Sequence, residues 1–383
     1  MARLRILLVF GTRPEAIKLA PVYRELATDP DSFEPICCVT GQHRHLLDQV
    51  LQVFGIVPEY DLDLMREGQD LAGLTADILQ RMSYVLDAVM RDVVLVQGDT
   101  TSSMAAAMVA FYRSIPVAHV EAGLRTGDLR SPFPEEFNRR ATAMMARLHF
   151  APTEENRNNL LKEGCDARRI KVVGNTVIDA VHAVMQKLES NADLLRRAED
   201  ELDMATRFAW RQVPYVLVTC HRRESFAGGI EQICSALVRL SRDFPDARFL
   251  VPVHPNPHVR SAIYARLSGN PALALCDPLT YPAFLLAIQN SLFVMTDSGG
   301  VQEEAPSFSK PLLVMRERTE RAELKNWSAA RLVGLECEHI ASAASELLRN
   351  PSTVREMAPA ANPFGDGAAS TRIAEYLKKE LLE

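Results

Sequence analysis

Three carboxylates stand directly after short apolar runs in the first half of this sequence. Asp99 follows Val93–Gln97 within Gly98-Asp99-Thr100-Thr101, and Glu121 follows Val117–Val120 within Glu121-Ala122-Gly123-Leu124-Arg125. Glu135 comes after Pro132-Phe133-Pro134 and opens a helical stretch. If the apolar runs are neighbouring strands of one parallel sheet, the three acids converge on its carboxyl edge, where open α/β sheets bind ligands. Like charges held that close raise at least one pKa, which suits acid–base chemistry. Spacing alone fits a plainer use as well: an N-cap for Asp99, solvated charges for the others. Two cations, Arg13 and Lys18, follow the first apolar run in Gly11-Thr12-Arg13-Pro14-Glu15-Ala16-Ile17-Lys18. Pro14 sits where a helix would start. The segment therefore reads either as a capped helix with solvated charges or as an anion contact at a helix N-terminus.

The second half carries groups suited to phosphate. His221 lies in Thr219-Cys220-His221-Arg222-Arg223-Glu224, and His254 in Pro252-Val253-His254-Pro255-Asn256. A single histidine is more often structural, but Arg222 and Arg223 give His221 a cationic setting. The most informative segment is Thr296-Asp297-Ser298-Gly299-Gly300-Val301-Gln302-Glu303-Glu304. An apolar run leads through Ser-Gly-Gly into a helix, so backbone can approach a ligand closely and a helix N-terminus can attract a diphosphate. Glu304, one turn in, can accept from two ribose hydroxyls. Arg318 and Arg321 follow the next run and can close over phosphates. The bland alternative is a tight strand–helix turn. Neither GxGxxG nor GxxxxGK[ST] occurs, so the dinucleotide and P-loop fingerprints are both missing. An anion site in one half and a carboxylate cluster in the other suit an enzyme acting on a nucleotide-linked sugar. Transfer and isomerisation both fit.

These groups need a scaffold that ends strands in polar turns. The chain has 383 residues, long for one core, so two domains with a cleft between them are expected. Strands are predicted at Leu4–Phe10, Ile36–Thr40, Val93–Gln97, Val117–Val120 and Leu148–Ala151. Helical patterns separate them, at about Glu15–Ala27, Leu46–Phe54, Leu71–Met90, Ser102–Tyr112, Glu135–Ala146 and Glu154–Leu161. Near Glu189–Arg211 strong hydrophobes thin out, which predicts an exposed helical connector. The alternation resumes with strands Tyr215–Thr219, Arg248–Val251, Leu292–Thr296 and Pro311–Met315. Helices are predicted at Gly229–Leu240, Val259–Leu267, Tyr281–Gln289 and Gln302–Phe308. The expected class is α/β: two doubly wound parallel-sheet, Rossmann-like domains, 1–172 and 173–365.

Bulk properties narrow the partners. A net charge of −6 and a pI near 5.9 give no global basic footprint for nucleic acid. The first apolar run, Ile6–Phe10, is too short for a signal sequence, and no run reaches the roughly 18 apolar residues of a membrane span. Cysteines 37, 38, 165, 220, 234, 276 and 337 are odd in number, irregularly spaced and without CxxC, so neither a disulfide framework nor a zinc site is signalled. The expectation is a cytoplasmic enzyme without membrane or nucleic-acid partners.

Taken together, the segments FGTRPEAIKLAPV, TGQHRHLLDQVL, GDTTS, PVAHVEAGLRTGDLRSPFPEEFNR, GNTVIDA, HRRES, PVHPNP, TDSGGVQEEAPS and RTER resemble the non-hydrolysing bacterial UDP-N-acetylglucosamine 2-epimerases. They run in order from Phe10 to Arg321, and 362–367 (NPFGDG) adds to them. The resemblance implies a glycosyltransferase-B fold, usually dimeric, with a C-terminal helix, here 366–383, packing back on the first domain. It implies reversible inversion of C2, giving UDP-N-acetylmannosamine for cell-surface polysaccharide, through loss and return of UDP and with no cofactor or metal. Asp99, Glu121 and Glu135 would be the acid/base groups, supported by Lys18. Arg13, His221 and Arg321 would face the diphosphate, His221 counting among the catalytic groups. Ser298, Gly299 and Glu304 would hold diphosphate and ribose, and Phe284 would pack on the uracil. Gln42, Glu136, Arg222 and His254 match an allosteric site for a second UDP-N-acetylglucosamine. The family's TERPE reads Thr319-Glu320-Arg321-Ala322-Glu323 here, followed by Leu324-Lys325-Asn326-Trp327-Ser328. Competing readings are glycosyl transfer on the same architecture, a hydrolysing 2-epimerase, and a nucleotide-sugar sensor without turnover.

Overall fold

A computed structural model describes residues 3–41, 44–64, 66, 68–220, 228–321, 323–324 and 327–382. The chain divides into two compact units, Met1–Ala183 with Phe364–Glu383, and Val184–Pro363. The division falls within one helix, a turn or more beyond the 172/173 boundary expected from sequence.

Unit 1 holds a seven-stranded sheet: β1 (Leu4–Phe10), β2 (Phe33–Val39), β3 (Tyr60–Asp61), β4 (Val93–Gln97), β5 (Val117–Val120), β6 (Leu148–Ala151) and β7 (Ile170–Val172). The order is β3-β2-β1-β4-β5-β6-β7, with every pairing parallel. Central strands such as β4 are buried at every position, so they read as unbroken apolar runs rather than alternating ones. The chain winds outward in one direction from β1 and in the other from β4. Their carboxyl ends therefore form the switch point where a ligand crevice opens in such sheets. Helices α1 (Arg13–Ala27) and α4 (Thr101–Tyr112) start there. Between the strands also lie α2 (Arg44–Phe54), α3 (Leu71–Ala88), α5 (Glu135–Met145), α6 (Glu154–Lys162) and, at the unit boundary, α7 (Thr176–Ser190).

Unit 2 repeats the plan with six strands: β8 (Tyr215–Thr219), β9 (Arg248–Pro252), β10 (Leu273–Cys276), β11 (Val294–Thr296), β12 (Leu312–Val314) and β13 (Ala330–Leu332). Their order is β10-β9-β8-β11-β12-β13, again all parallel, with the switch point between β8 and β11. Its helices are α8 (Ala192–Thr206), α9 (Gly229–Asp243), α10 (Pro257–Leu267), α11 (Tyr281–Asn290), α12 (Gly299–Glu304), α13 (Cys337–Arg349) and α14 (Pro351–Met357).

The central elements match the sequence expectation within a few residues. Edge strands β3, β7, β10 and β13 do not register in the sequence, because they span two to four residues and several of their positions stay partly exposed. The segment read as an exposed connector is half docked: α8 buries Ala198, Leu202 and Ala205 and packs on α11 and β10. Small side chains let that helix approach closely without the strong hydrophobes that mark a core helix. The last helix, α15 (Ala369–Leu381), packs on α1 within unit 1 and buries Ile373 and Leu377, each contributing about 1.5–3 kcal/mol. Asp179 of α7 caps it, accepting from Ser370 N at 2.7 Å. Among the described residues no helix is long and apolar enough to cross a membrane.

Candidate active site

At the unit 1 switch point the sequence T-x-x-E forms a capping box at the start of α1. The Glu15 carboxylate folds back and accepts from Gly11 N (3.0 Å), Thr12 N (2.8 Å) and Thr12 Oγ1 (2.8 Å). Its other oxygen accepts from Thr100 Oγ1 at 2.6 Å, across the switch point. Glu15 is buried, and desolvation pushes its pKa up to about 7 against the lowering effect of these four donors. Glu15 lies outside the trio of Asp99, Glu121 and Glu135, and its pKa is raised by burial rather than by a neighbouring carboxylate. It was present in the motif but not singled out, although the capping-box spacing was its signal.

Asp99 does not cap α4. Thr100 does, accepting from Ser103 N at 3.1 Å. The Asp99 carboxylate instead meets the guanidinium of buried Arg139, and its carbonyl accepts from Asn138 Nδ2 at 3.0 Å. Arg139 also reaches Glu136 at 3.3 Å. Glu136 is fully buried and accepts from Thr126 N (3.1 Å) and Gly127 N (3.3 Å). The proposed allosteric carboxylate is therefore occupied with internal bonds here. Glu121 has φ +63°, unusual for a residue with a side chain and a form of strain that collects at functional sites. Its two oxygens contact Lys18 Nζ and Gln97 Nε2, and the Lys18–Glu121 pair is buried on both sides. Glu135 is half-buried, and its Oε2 finds no hydrogen-bond partner among the described residues. Arg13 is half-buried in the first turn of α1. Beneath this edge His119 shares a hydrogen bond with Gly98 O at 2.8 Å and stands opposite His149 in β6. Burial lowers their pKa values to about 3 and about 4.

The unit 2 switch point is bridged by two hydroxyls, Thr219 Oγ1 and Thr296 Oγ1, 2.6 Å apart. Thr296 Oγ1 also accepts from Ser298 N at 2.9 Å, which shapes the turn into α12. Arg321 lies against that turn. A Cβ added to Gly299 would sit 2.6 Å from three atoms of its guanidinium, so Gly299 makes room for Arg321 itself. The guanidinium donates to Glu303 Oε1 from Nε (2.9 Å) and Nη2 (2.7 Å), and from Nη1 to Glu320. Glu320 in turn accepts from Arg316 at 2.8 Å. All four side chains are buried, two cations against two anions. Sequence reading placed Arg321 over a diphosphate; here it is also one member of a buried ion network. Glu303 and Arg139 were missed, because ion pairs across 18 or 40 positions leave no spacing signal; Glu320 was missed although its partners Arg321 and Arg316 are one and four positions away. Glu304 is buried in the last turn of α12, and Ser298 is half-buried at its start. Phe284 is the partly exposed member of the first turn of α11, beside buried Tyr281, Ala283 and Leu285. His254 Nδ1 accepts from Asn256 N at 3.2 Å in the turn before α10. Gln42, His221 and Arg222 lie outside the described residues.

Two doubly wound sheets, one edged with braced carboxylates and the other with a glycine turn under a guanidinium, define an α/β enzyme fold of the glycosyltransferase-B class. The profile of the family described as UDP-N-acetylglucosamine 2-epimerase matches residues 24–378. A Yersinia pestis protein named UDP-N-acetylglucosamine 2-epimerase is 48% identical over 377 residues, covering 98% of each chain. The Escherichia coli K12 protein of that name is 48% identical over 375 residues, again covering 98% of each. The crystal structure of the UDP-GlcNAc 2-epimerase from Neisseria meningitidis bound to UDP-GlcNAc aligns with TM-score 0.93 at 42% identity, covering 98% of this chain and 100% of that one. The chain belongs to the UDP-N-acetylglucosamine 2-epimerase family.

Proposed function

We propose that this chain reversibly inverts C2 of UDP-N-acetylglucosamine, giving UDP-N-acetylmannosamine. The observation that supports this best is family membership over almost the whole chain, joined to three carboxylates at one sheet edge with different surroundings. The C2 proton has no adjacent carbonyl and is not acidic. It becomes removable if the C1–O bond to UDP breaks in the same event: a carboxylate takes the proton, the C–H electrons form the C1=C2 double bond, and UDP departs with the C1–O pair. The enclosed product is 2-acetamidoglucal. Return of UDP to C1 with a proton delivered to the opposite face of C2 inverts the centre. Two faces call for more than one acid/base group, which Asp99, Glu121 and Glu135 supply. Glu135, with an oxygen uncommitted to internal bonds, suits a group that exchanges a proton with a ligand. The nucleotide is assigned to unit 2, with Ser298, Gly299, Glu304 and Phe284 holding uridine and diphosphate, and Arg321 and His221 balancing the leaving group's charge. Arg13 is kept as a further candidate cation for phosphate.

Incubation with UDP-N-acetylglucosamine in heavy water tests the reading. Deuterium at C2 in a mixture of both epimers is expected. Transfer or hydrolysis without C2 label in an active sample defeats it, and stoichiometric release of UDP marks a hydrolysing enzyme. The same reading makes the enzyme cytoplasmic and dimeric. A second copy fits the apolar side chains left exposed on α3, α4 and α5, among them Tyr84, Phe111, Tyr112 and Met144; sedimentation checks the dimer. A second UDP-N-acetylglucosamine as activator, at Gln42, Glu136, Arg222 and His254, predicts a reverse reaction stimulated by added UDP-N-acetylglucosamine.

A further inference from the structure

The three acid/base candidates do not hold their own turns in place. Asp99 sits between two anchors. From the α5 side it is held by Asn138 and Arg139. From the β1 side the hold passes through its neighbour Thr100, whose hydroxyl donates to Glu15 at 2.6 Å. Glu15 is also tied to Gly11 and Thr12, which start the helix that carries Arg13 and Lys18. Lys18 in turn contacts Glu121. One buried carboxyl therefore joins the turn after β1 to the turn after β4, 85 positions apart in sequence.

We propose that Glu15 is a positioning residue for the epimerisation, a brace across the unit 1 switch point that fixes Asp99 and the Arg13–Lys18 turn relative to each other. It touches no reacting atom; it acts through Thr100 and through the first turn of α1. The proposal rests on the epimerase reading given above. What the brace requires is hydrogen-bond geometry, not charge. A neutral carboxamide of the same shape can keep every bond: its oxygen takes the three donors from Gly11 and Thr12, and its NH2 donates to Thr100 Oγ1. A protonated carboxyl would make the same set. Burial, which raises the Glu15 pKa to about 7, fits a group whose neutral form is tolerated.

The test compares Glu15→Gln, Glu15→Ala, Thr100→Val, Thr100→Ser and the Glu15→Ala/Thr100→Val pair. Readouts are kcat, KM, C2 deuterium uptake and calorimetric UDP binding. Glu15→Ala should lower kcat about 100-fold, the size expected for a misplacement near 1 Å, while UDP binding weakens by less than about tenfold through the displaced Arg13. Glu15→Gln should retain at least about a fifth of kcat, and Thr100→Ser should rescue what Thr100→Val loses. The losses of the double variant should be less than multiplicative, because both substitutions break the Glu15–Thr100 link, while Thr100→Val also removes the α4 cap. Equal inactivity of Glu15→Gln and Glu15→Ala would overturn the brace in favour of a role for charge. Multiplying losses in the double variant, or wild-type kcat in Glu15→Ala, would overturn it too. If Glu15→Ala does not fold, Thr100→Val decides alone, unchanged kcat being the adverse result. Absence of C2 exchange in the wild type would sink the epimerase reading instead. Amide exchange at Gly11 and Thr12, slow in wild type and Glu15→Gln but fast in Glu15→Ala, would then still report on the brace.

Discussion

The two switch points are built from similar sheets but hold charge in opposite ways. In unit 1 the acid-paired cations Lys18 and Arg139 are buried and some acids reach outward: the Arg139 side chain is 5% exposed, whereas that of its partner Asp99 is 27% exposed. In unit 2 both signs are buried, with Arg321 at 8% and Glu303 at 1%. The first arrangement presents carboxylate oxygen to a ligand while a guanidinium fixes its direction. The second keeps a guanidinium in a fork of two carboxylates, so an anionic ligand must share it with Glu303 and Glu320. On the proposed reading, the first edge exchanges protons and the second takes up negative charge beside a cation that is already paired.

The largest test of that contrast is the loss of one acid. Asp99→Asn, Glu121→Gln and Glu135→Gln should each lower kcat by about 10²–10⁴ with little change in UDP affinity by calorimetry. Near-normal turnover in all three would remove the acid/base role from the unit 1 edge. Next, Lys18→Met should cost about 3–5 kcal/mol in urea unfolding, because it removes the cation paired with the buried Glu121 carboxylate. A small loss would mean that water or another group compensates. At the unit 2 edge Glu304→Ala should weaken UDP binding by about 1.5–3 kcal/mol, the usual worth of hydrogen bonds to a charged group. Gly299→Ala should cost about 1–3 kcal/mol of stability, since the new methyl meets the Arg321 guanidinium. An unaffected melting point would show that the ion network gives way easily.

The smallest effect is the pH response of stability in unit 1. Folding lowers the His119 and His149 pKa values from 6.5 to about 3 and about 4, so their contribution is full above pH 6.5 and is lost as pH falls through those values. Glu15 works the other way: raised from 4.5 to about 7, it contributes fully below pH 4.5 and loses that contribution as pH rises through about 7. Between pH 4.5 and 6.5, two imidazoles against one carboxyl leave the unfolded chain with about one extra proton. From these groups stability should therefore rise by about 1.4 kcal/mol per pH unit. Glu15→Gln removes the opposing group and should roughly double that slope in urea titrations at pH 5 and 6. An unchanged slope would mean that Glu15 does not titrate in this window.

Much of this protein was legible before any coordinates. Runs such as Leu4–Phe10 and Val93–Gln97 are apolar throughout because both sheet faces are covered, and Gly98 and Gly123, with φ +68° and +94°, mark the turns that end strands. The sequence by itself determined the alternation of strands and helices, the residues that follow each strand and, through ordered motifs, the family. Local patterns suffice there, because strand burial and turn geometry act over a few neighbours. Tertiary structure alone decided the partners: Thr100 for Glu15, Arg139 for Asp99, Glu303 for Arg321. It also decided that Glu15 is buried deeply enough for desolvation to raise its pKa. Those outcomes depend on which side chains lose water together once distant strands pair, and desolvation of that kind leaves no trace in spacing.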